Sequence, residues 1–324
     1  MVRPMLPTDW NEESARRAFC WFDVDRVPGD EKTTAWKRRA RFMQALWREQ
    51  RGLPPGAHPY EGGQDATPVG SRIPLAGADE SGVNFLTPAV LAAVRARLAV
   101  KEPFQMLQSD RIWADLLSSM PLCFNLFGEL AHDGEAAARA VRAWWPSVPQ
   151  GRVTLRFEHS PGRRDTSFLG NQSAFDAAFE IENGDSTYVI GVETKYHEHA
   201  KREPAPSAGA MKRYAEVTEN SGMFVPGWRH LLVGTDLQQL WLDHLLVLSM
   251  LQHGPTRECP RGWSGGRFVL VHPVQNRSFA HAAERYARAL KDSSTFEVRT
   301  LEDLVGTAGA LPEHDARAFA ERYL

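Results

Sequence analysis

The sequence predicts an α/β protein in which a mixed sheet is flanked by helices, and three observations carry that expectation. Apolar residues recur at helical spacing up to about Trp145, the spacing then switches to strict alternation, and from about Asp236 helix and strand patterns follow one another in turn. With 324 residues, 43% of them hydrophobic, the chain can bury a substantial core as one large domain or two.

Each element has its own signal. Thr33 or Thr34 caps a helix that places Trp36, Ala40, Met43 and Trp47 on one stripe and ends at Gly52, with Pro54 and Pro55 beyond. Residues 53–84, rich in Gly, Pro and Ala, read as a long ordered loop or linker. A second helix is expected over Thr87 to Val100. Between Arg111 and Trp145, Ser119 is placed to cap a helix with Pro121 in its first turn. Asp133-Gly134 then opens a helix Glu135 to Trp145 that closes at Pro146. Val153, Leu155 and Phe157 alternate with Thr154, Arg156 and Glu158, the pattern of a half-buried strand. Two further strands, Phe175 to Glu182 and Thr187 to Tyr196, flank Asn183-Gly184-Asp185-Ser186, a strong hairpin signal. The polar run from His197 to Tyr214 reads as a surface excursion. A helix Asp236 to Gln252, a strand Arg267 to His272, a helix Phe279 to Lys291 and a strand Phe296 to Thr300 follow, and Thr300-Leu-Glu-Asp caps a short final helix.

Composition excludes several classes. The longest apolar stretch, Leu240 to Leu251, is broken by Asp243 and His244 and falls short of the roughly 18 to 20 apolar residues a bilayer span requires. The first residues, MVRPMLPTDWNEESARR, show no targeting pattern, so a cytoplasmic location is expected. Cys20, Cys123 and Cys259 are too scattered for a disulfide framework or a four-ligand zinc site. A net charge of -2 gives no global attraction to polyanions, so nucleic-acid contact must come from a local patch. Glu31 to Arg51 supplies one, with seven Lys or Arg against two acids; Lys37, Arg38 and Arg41 are its candidate phosphate contacts, against the alternative of a solvated outer face.

The chemistry concentrates in one hairpin. Strand parity puts Glu193 and Lys195 on one face, and Val192, Thr194 and Tyr196 on the other. A two-residue loop Asn183-Gly184 makes Asp176 a diagonal neighbour of Glu193, whereas a four-residue loop sets the two directly opposite; either even-length loop keeps both acids with Lys195. Carboxylates gathered this way repel and lose hydration, so they call for a cation. A hard ion such as Mg²⁺ takes oxygen ligands and keeps several waters, and Asp176 and Glu193 with the Thr194 carbonyl can hold it. Such an ion polarises a phosphoryl oxygen and acidifies water, with Lys195 stabilising developing negative charge, which fits phosphodiester hydrolysis.

Asp176 with Glu193-Thr-Lys195, on a helix, three-strand, helix, strand order, resembles the PD-(D/E)xK nuclease superfamily. The blocks Leu46-Trp-Arg48, Asn84-Phe-Leu-Thr87, Leu122-Cys-Phe-Asn125-Leu-Phe-Gly128, Phe157-Glu-His-Ser-Pro161, Phe175-Asp-Ala-Ala178 and Gly191-Val-Glu-Thr-Lys-Tyr196 look like a poorly characterised bacterial branch of it, over about residues 35 to 305. The resemblance implies a restriction-endonuclease-like core, metal binding by Asp176 and Glu193, and a catalytic Lys195. Phe175 stands where the motif's Pro would be. Glu158 is added as a further catalytic acid, Gln239 as a substrate-positioning residue, and Glu129 as a weaker candidate. His197-Glu198-His199 suggests zinc but shows no further ligand, and Gly62-Gly63 and Ser264-Gly265-Gly266 lack the Lys-Ser/Thr of a phosphate loop.

The expectation is a helical, nucleic-acid-contacting region over 1–110 and a nuclease-like core over 111–324. The function expected is that of a Mg²⁺-dependent endonuclease, with Mn²⁺ able to substitute, acting on DNA rather than RNA, as a monomer or homo-oligomer. The competing reading is a catalytically silent nucleic-acid or protein-binding module on the same fold.

Overall fold

A computed structural model describes residues 11–20, 35–57, 68–100, 102–257 and 259–324. The expected caps Thr33 and Thr34, Lys32, Gly62-Gly63, the first ten residues and the middle of the 53–84 loop lie outside them.

The principal elements are helices α1 (Ala35–Gln50), α2 (Pro88–Ala99), α3 (Ser109–Ala114), α4 (Ser119–Phe127) and α5 (Gly134–Trp144). Strands β1 (Arg152–His159), β2 (Phe175–Asn183) and β3 (Ser186–Thr194) follow, then α6 (Ala208–Ser221) and α7 (Gln238–Gln252). The chain finishes with β4 (Gly265–His272), α8 (Arg277–Arg288), β5 (Phe296–Thr300), α9 (Leu301–Gly306) and α10 (Glu313–Tyr323). The strands form one five-stranded sheet in chain order, antiparallel across β1-β2-β3 and parallel across β3-β4-β5.

Three expectations need correction. The α4 cap is Ser118, whose hydroxyl accepts from Met120 N at 3.3 Å, one residue before Ser119. The polar run after Tyr196 is not excursion throughout, because Ser207 caps α6, which buries Tyr214 and Val217. The helix capped by Thr300 is not the last, since α10 follows.

Alternation along the strands builds two apolar layers, one on each side of the sheet. Ala177, Phe179, Ile181, Ile190 and Val192 join Trp144, Phe127 and Tyr323 in a first core beneath α1, α2, α4, α5 and α10. Ala178, Val189, Phe268 and Leu270 join Trp241, Leu245 and Tyr286 in a second beneath α6, α7 and α8. Ala40, Trp47 and Val90, from before residue 110, share the first core with the sheet.

α1 carries the expected stripe, with Ala40 and Trp47 buried, but Lys37, Arg41, Gln44 and Arg48 are buried as well. Arg48 donates to the carbonyls of Gly70 (2.9 Å) and Leu53 (2.8 Å). Gln44 donates to Arg322 O (2.9 Å) and Tyr196 Oη (3.2 Å), tying α1 to α10 and to the end of β3. Much of this helix's polarity is therefore structural rather than a solvated outer face.

Candidate active site

The hairpin register is set by a tight turn. Glu182 pairs with Thr187, as the four-residue alternative required, and the ladder continues to Asn183↔Ser186, leaving Gly184-Asp185 as the loop. Gly184 has φ +57°, the left-handed conformation that primed hairpin turns need and that Gly adopts at least cost. Counted back from Ala177↔Val192, this register brings Asp176 to the level of Glu193 and Thr194.

There the acids are held by short bonds. Asp176 Oδ2 accepts from Thr194 N (2.8 Å) and Thr194 Oγ1 (2.6 Å), so both bonds converge on one carboxylate oxygen. Lys195 Nζ donates to Glu193 Oε1 at 2.7 Å, and Gln239 Nε2, in the first turn of α7, donates to the same oxygen at 3.2 Å. Lys195 N donates to Val271 O (2.8 Å), extending the β3–β4 alignment one residue past the strand. Asp176, Glu193, Lys195 and Gln239 line a cleft of about 770 Å³ at the end of β3, between the two helical layers.

Electrostatics there is dominated by burial. Glu193 is held well above the ordinary carboxylate range by loss of water and then by Asp176, with Lys195 opposing. Asp176 is also raised by burial, against the pull of Lys195 and the Thr194 bonds. Burial alone would lower Lys195, but Glu193, Glu198, Asp176 and Asp243 outweigh it and hold its ammonium protonated.

Glu158 also lines the cleft, where β1 passes Asp176, and it has φ +47° between the regular pairs Phe157↔Ala177 and His159↔Phe175. A non-glycine residue in that region costs roughly 1–3 kcal/mol and persists only when its neighbours impose it. Arg163 Nη2 does so, donating to Glu158 O (2.8 Å) and Oε1 (3.1 Å), while Arg97 Nε donates to Phe157 O (2.8 Å).

Of the expected phosphate contacts, Lys37 lines the cleft, whereas Arg38 is half-buried, Arg41 is buried, and neither lines it. Lys201 lines the cleft. Arg202 and Arg213 donate to the backbone carbonyls of Gly234 and Phe168, each at 2.6 Å. Glu129 accepts from the Thr87 hydroxyl instead. The three cysteines are free and buried.

Asp243 escaped sequence reasoning. It lies on α7 one turn after Gln239, is 9% exposed, lines the cleft, and its Oδ2 has no hydrogen-bond partner. Burial first, then the nearby acids, raise it to about 7 against the pull of Lys195. A Gln and an Asp four apart inside an apolar helix were its only sequence signal. His197, whose pairing with His199 offered no further zinc ligand in the sequence, has its Nδ1 2.9 Å from Leu117 O, and burial lowers its pKa.

Among the described residues, no three His, Cys, Asp or Glu side chains converge as a ready-made metal cage. The donor set nevertheless fits a hard divalent ion that keeps its waters, with two carboxylates facing a polar cleft and a buried orphan oxygen on Asp243 nearby.

A mixed sheet between helical layers, with an Asp and a Glu-x-Lys meeting at the end of one strand, defines a nuclease-type α/β scaffold. The chain belongs to the PD-(D/E)XK nuclease superfamily, whose family profile matches residues 29–324, nearly its whole length. No curated protein and no solved structure matches it. Among the described residues no helix is long and apolar enough to cross a membrane.

Proposed function

We propose that this chain is a Mg²⁺-dependent nuclease that cuts DNA internally, with Mn²⁺ able to replace Mg²⁺. The observation that carries the reading is the meeting of Asp176, Glu193 and Lys195 in one cleft, brought together by the hairpin register.

Asp176 and Glu193 would hold the ion, and the chemistry it supplies is polarisation of the phosphodiester and acidification of water. Thr194 fixes Asp176 through Oδ2, leaving Oδ1 to face an incoming ligand. Gln239 steadies Glu193 from α7 and is placed to position substrate. Lys195 remains a cation within the cleft, and the N–H donors it does not give to Glu193 are available to the negative charge that grows on the phosphate oxygens. Glu158 contributes a further acid beside the reacting group, oriented by Arg163. Lys37 and Lys201, which line the cleft, supply the positive side of the nucleic-acid contact, while the buried Arg41 acts from behind them. The reading places the protein in the cytoplasm, with no oligomeric partner required to complete the cleft.

The test is cleavage of supercoiled plasmid, linear duplex and single-stranded DNA with Mg²⁺ or Mn²⁺. Asp176→Asn, Glu193→Gln and Lys195→Ala should each lower the rate by roughly a thousandfold, with DNA binding retained. Cleavage undiminished in all three would overturn the assignment. Metal-indifferent binding with no product would point instead to a silent binding module.

A further inference from the structure

A second cavity, of about 640 Å³, adjoins the catalytic cleft. The two share the segment His197-Glu198-His199, which faces the cleft on one side and the second cavity on the other. The first turn of α1 spans both: Lys37 lines the cleft, while Trp36 and Arg39, three residues apart on the helix, line the second cavity. The start of α8, a 12-residue helix capped by Asn276, also lines it, and the Asn276 side chain accepts from Phe279 N at 3.2 Å. Arg277 extends from that turn, so the cavity is lined by two exposed guanidinium groups, one from α1 and one from α8, together with the positive end of a helix dipole.

Among the described residues neither Arg39 nor Arg277 has an ion-pair partner, although the chain as a whole is slightly acidic. The one carboxylate on the wall, Glu198, is already committed. It accepts from Tyr196 N at 2.7 Å, and although burial would raise it, His197 and Lys195 bring it down to about 2. Two open guanidinium groups from separate helices suit an anion with charges spaced along it, and a cavity of about 640 Å³ admits one strand rather than a duplex.

We propose that the second cavity receives the single strand that continues from the scissile phosphodiester, with Arg39 and Arg277 each taking one of its phosphates. The preferred substrate is then DNA with a single-stranded flank, the strand crossing the His197–His199 segment between cleft and cavity. This inference rests on the nuclease reading and deepens it by naming the form of the substrate.

The experiment compares binding and cleavage of one duplex with and without a ten-nucleotide single-stranded flank. Binding is read by fluorescence anisotropy in the Lys195→Ala background, over a series of salt concentrations. Arg39→Glu with Arg277→Glu should weaken binding of flanked DNA at least tenfold. It should also reduce the slope of log K against log salt by about 1.4, two contacts at about 0.7 each. In a cleaving background KM for flanked DNA should rise far more than kcat falls. The same charge change at Arg229 and Arg317, which are exposed and do not line the cavity, should have much the smaller effect. Equal losses for the two pairs, or an unchanged salt slope, would overturn the proposal. Metal-dependent cleavage with no response to Arg39 and Arg277 rejects the strand cavity and keeps the nuclease. Flank-dependent binding without any cleavage keeps the cavity and rejects the nuclease.

Discussion

Thr194 is the residue whose neighbours do most to shape the site, because its N–H and hydroxyl both reach Asp176 Oδ2. Thr194→Val keeps the first bond and removes the second while preserving the strand. Loss of one such supporting bond commonly costs 10–100-fold in metal affinity, so Mg²⁺ binding measured by calorimetry should weaken by about that factor. Mg²⁺ affinity equal to wild type would show that the hydroxyl does not orient the acid. Asp243 makes a second prediction at this scale. Its carboxyl goes from an ordinary value of 3.8 in the unfolded chain to about 7 in the fold, so the folded state holds the proton more tightly. Between those values the unfolded chain binds fewer protons, and stability falls as pH rises from about 4 through about 7. Asp243→Asn should therefore raise Tm in EDTA at pH 8, with the gain shrinking toward pH 5. A gain independent of pH would mean that the charge of Asp243 is not what the fold opposes.

The β2–β3 hairpin works as an element because its two strands fit at one small residue. A Cβ placed on Gly191 would stand 2.4–2.7 Å from the ring of Phe175, which immediately precedes Asp176. The aromatic residue that replaces the motif's Pro is thus accommodated by a glycine on the neighbouring strand. Gly191→Ala would force the ring aside and draw Asp176 with it. Overpacking of this kind typically costs about 1–3 kcal/mol, and cleavage should fall by more than the lost folded fraction explains. Comparing specific activity with the folded fraction by circular dichroism separates the two effects; activity that merely tracks folding would refute the link between ring and acid.

Over the whole molecule, the C-terminal helix α10 closes back onto α1 and the segment before α2. Arg322 of α10 is fully buried, donates to Gln44 Oε1 (3.0 Å), Asn84 O (2.6 Å) and Asn84 Oδ1 (2.5 Å), and lies 4.1 Å above the Trp47 ring. Gln44 in turn reaches Tyr196, the residue after Lys195. Arg322→Ala removes the shared donor and leaves buried acceptors on α1 and at Asn84 without it. A loss of roughly 3–5 kcal/mol in urea unfolding is expected. A loss below about 1 kcal/mol would mean that this contact between α1, Asn84 and α10 is incidental to stability.

The linear sequence determined what depends on local period and residue type. The switch from helical to alternating spacing placed the strands, Asn183-Gly184 placed the hairpin, and the pair Asp176 and Glu193-Thr-Lys195 was legible because strand parity relates neighbouring side chains. Gln239 was likewise nameable as a polar residue on the following helix. The folded structure decided what depends on partners distant in the chain. It turned the basic α1 from an outer face into a largely buried clamp, since the partners of Gln44 and Arg48 lie at residues 322, 196, 70 and 53. It bent the backbone at Glu158 under Arg163, and it left Asp243 facing the cleft with an orphan oxygen. Those properties come from desolvation and from hydrogen bonds closed across the fold, and neither leaves a periodic trace along the chain.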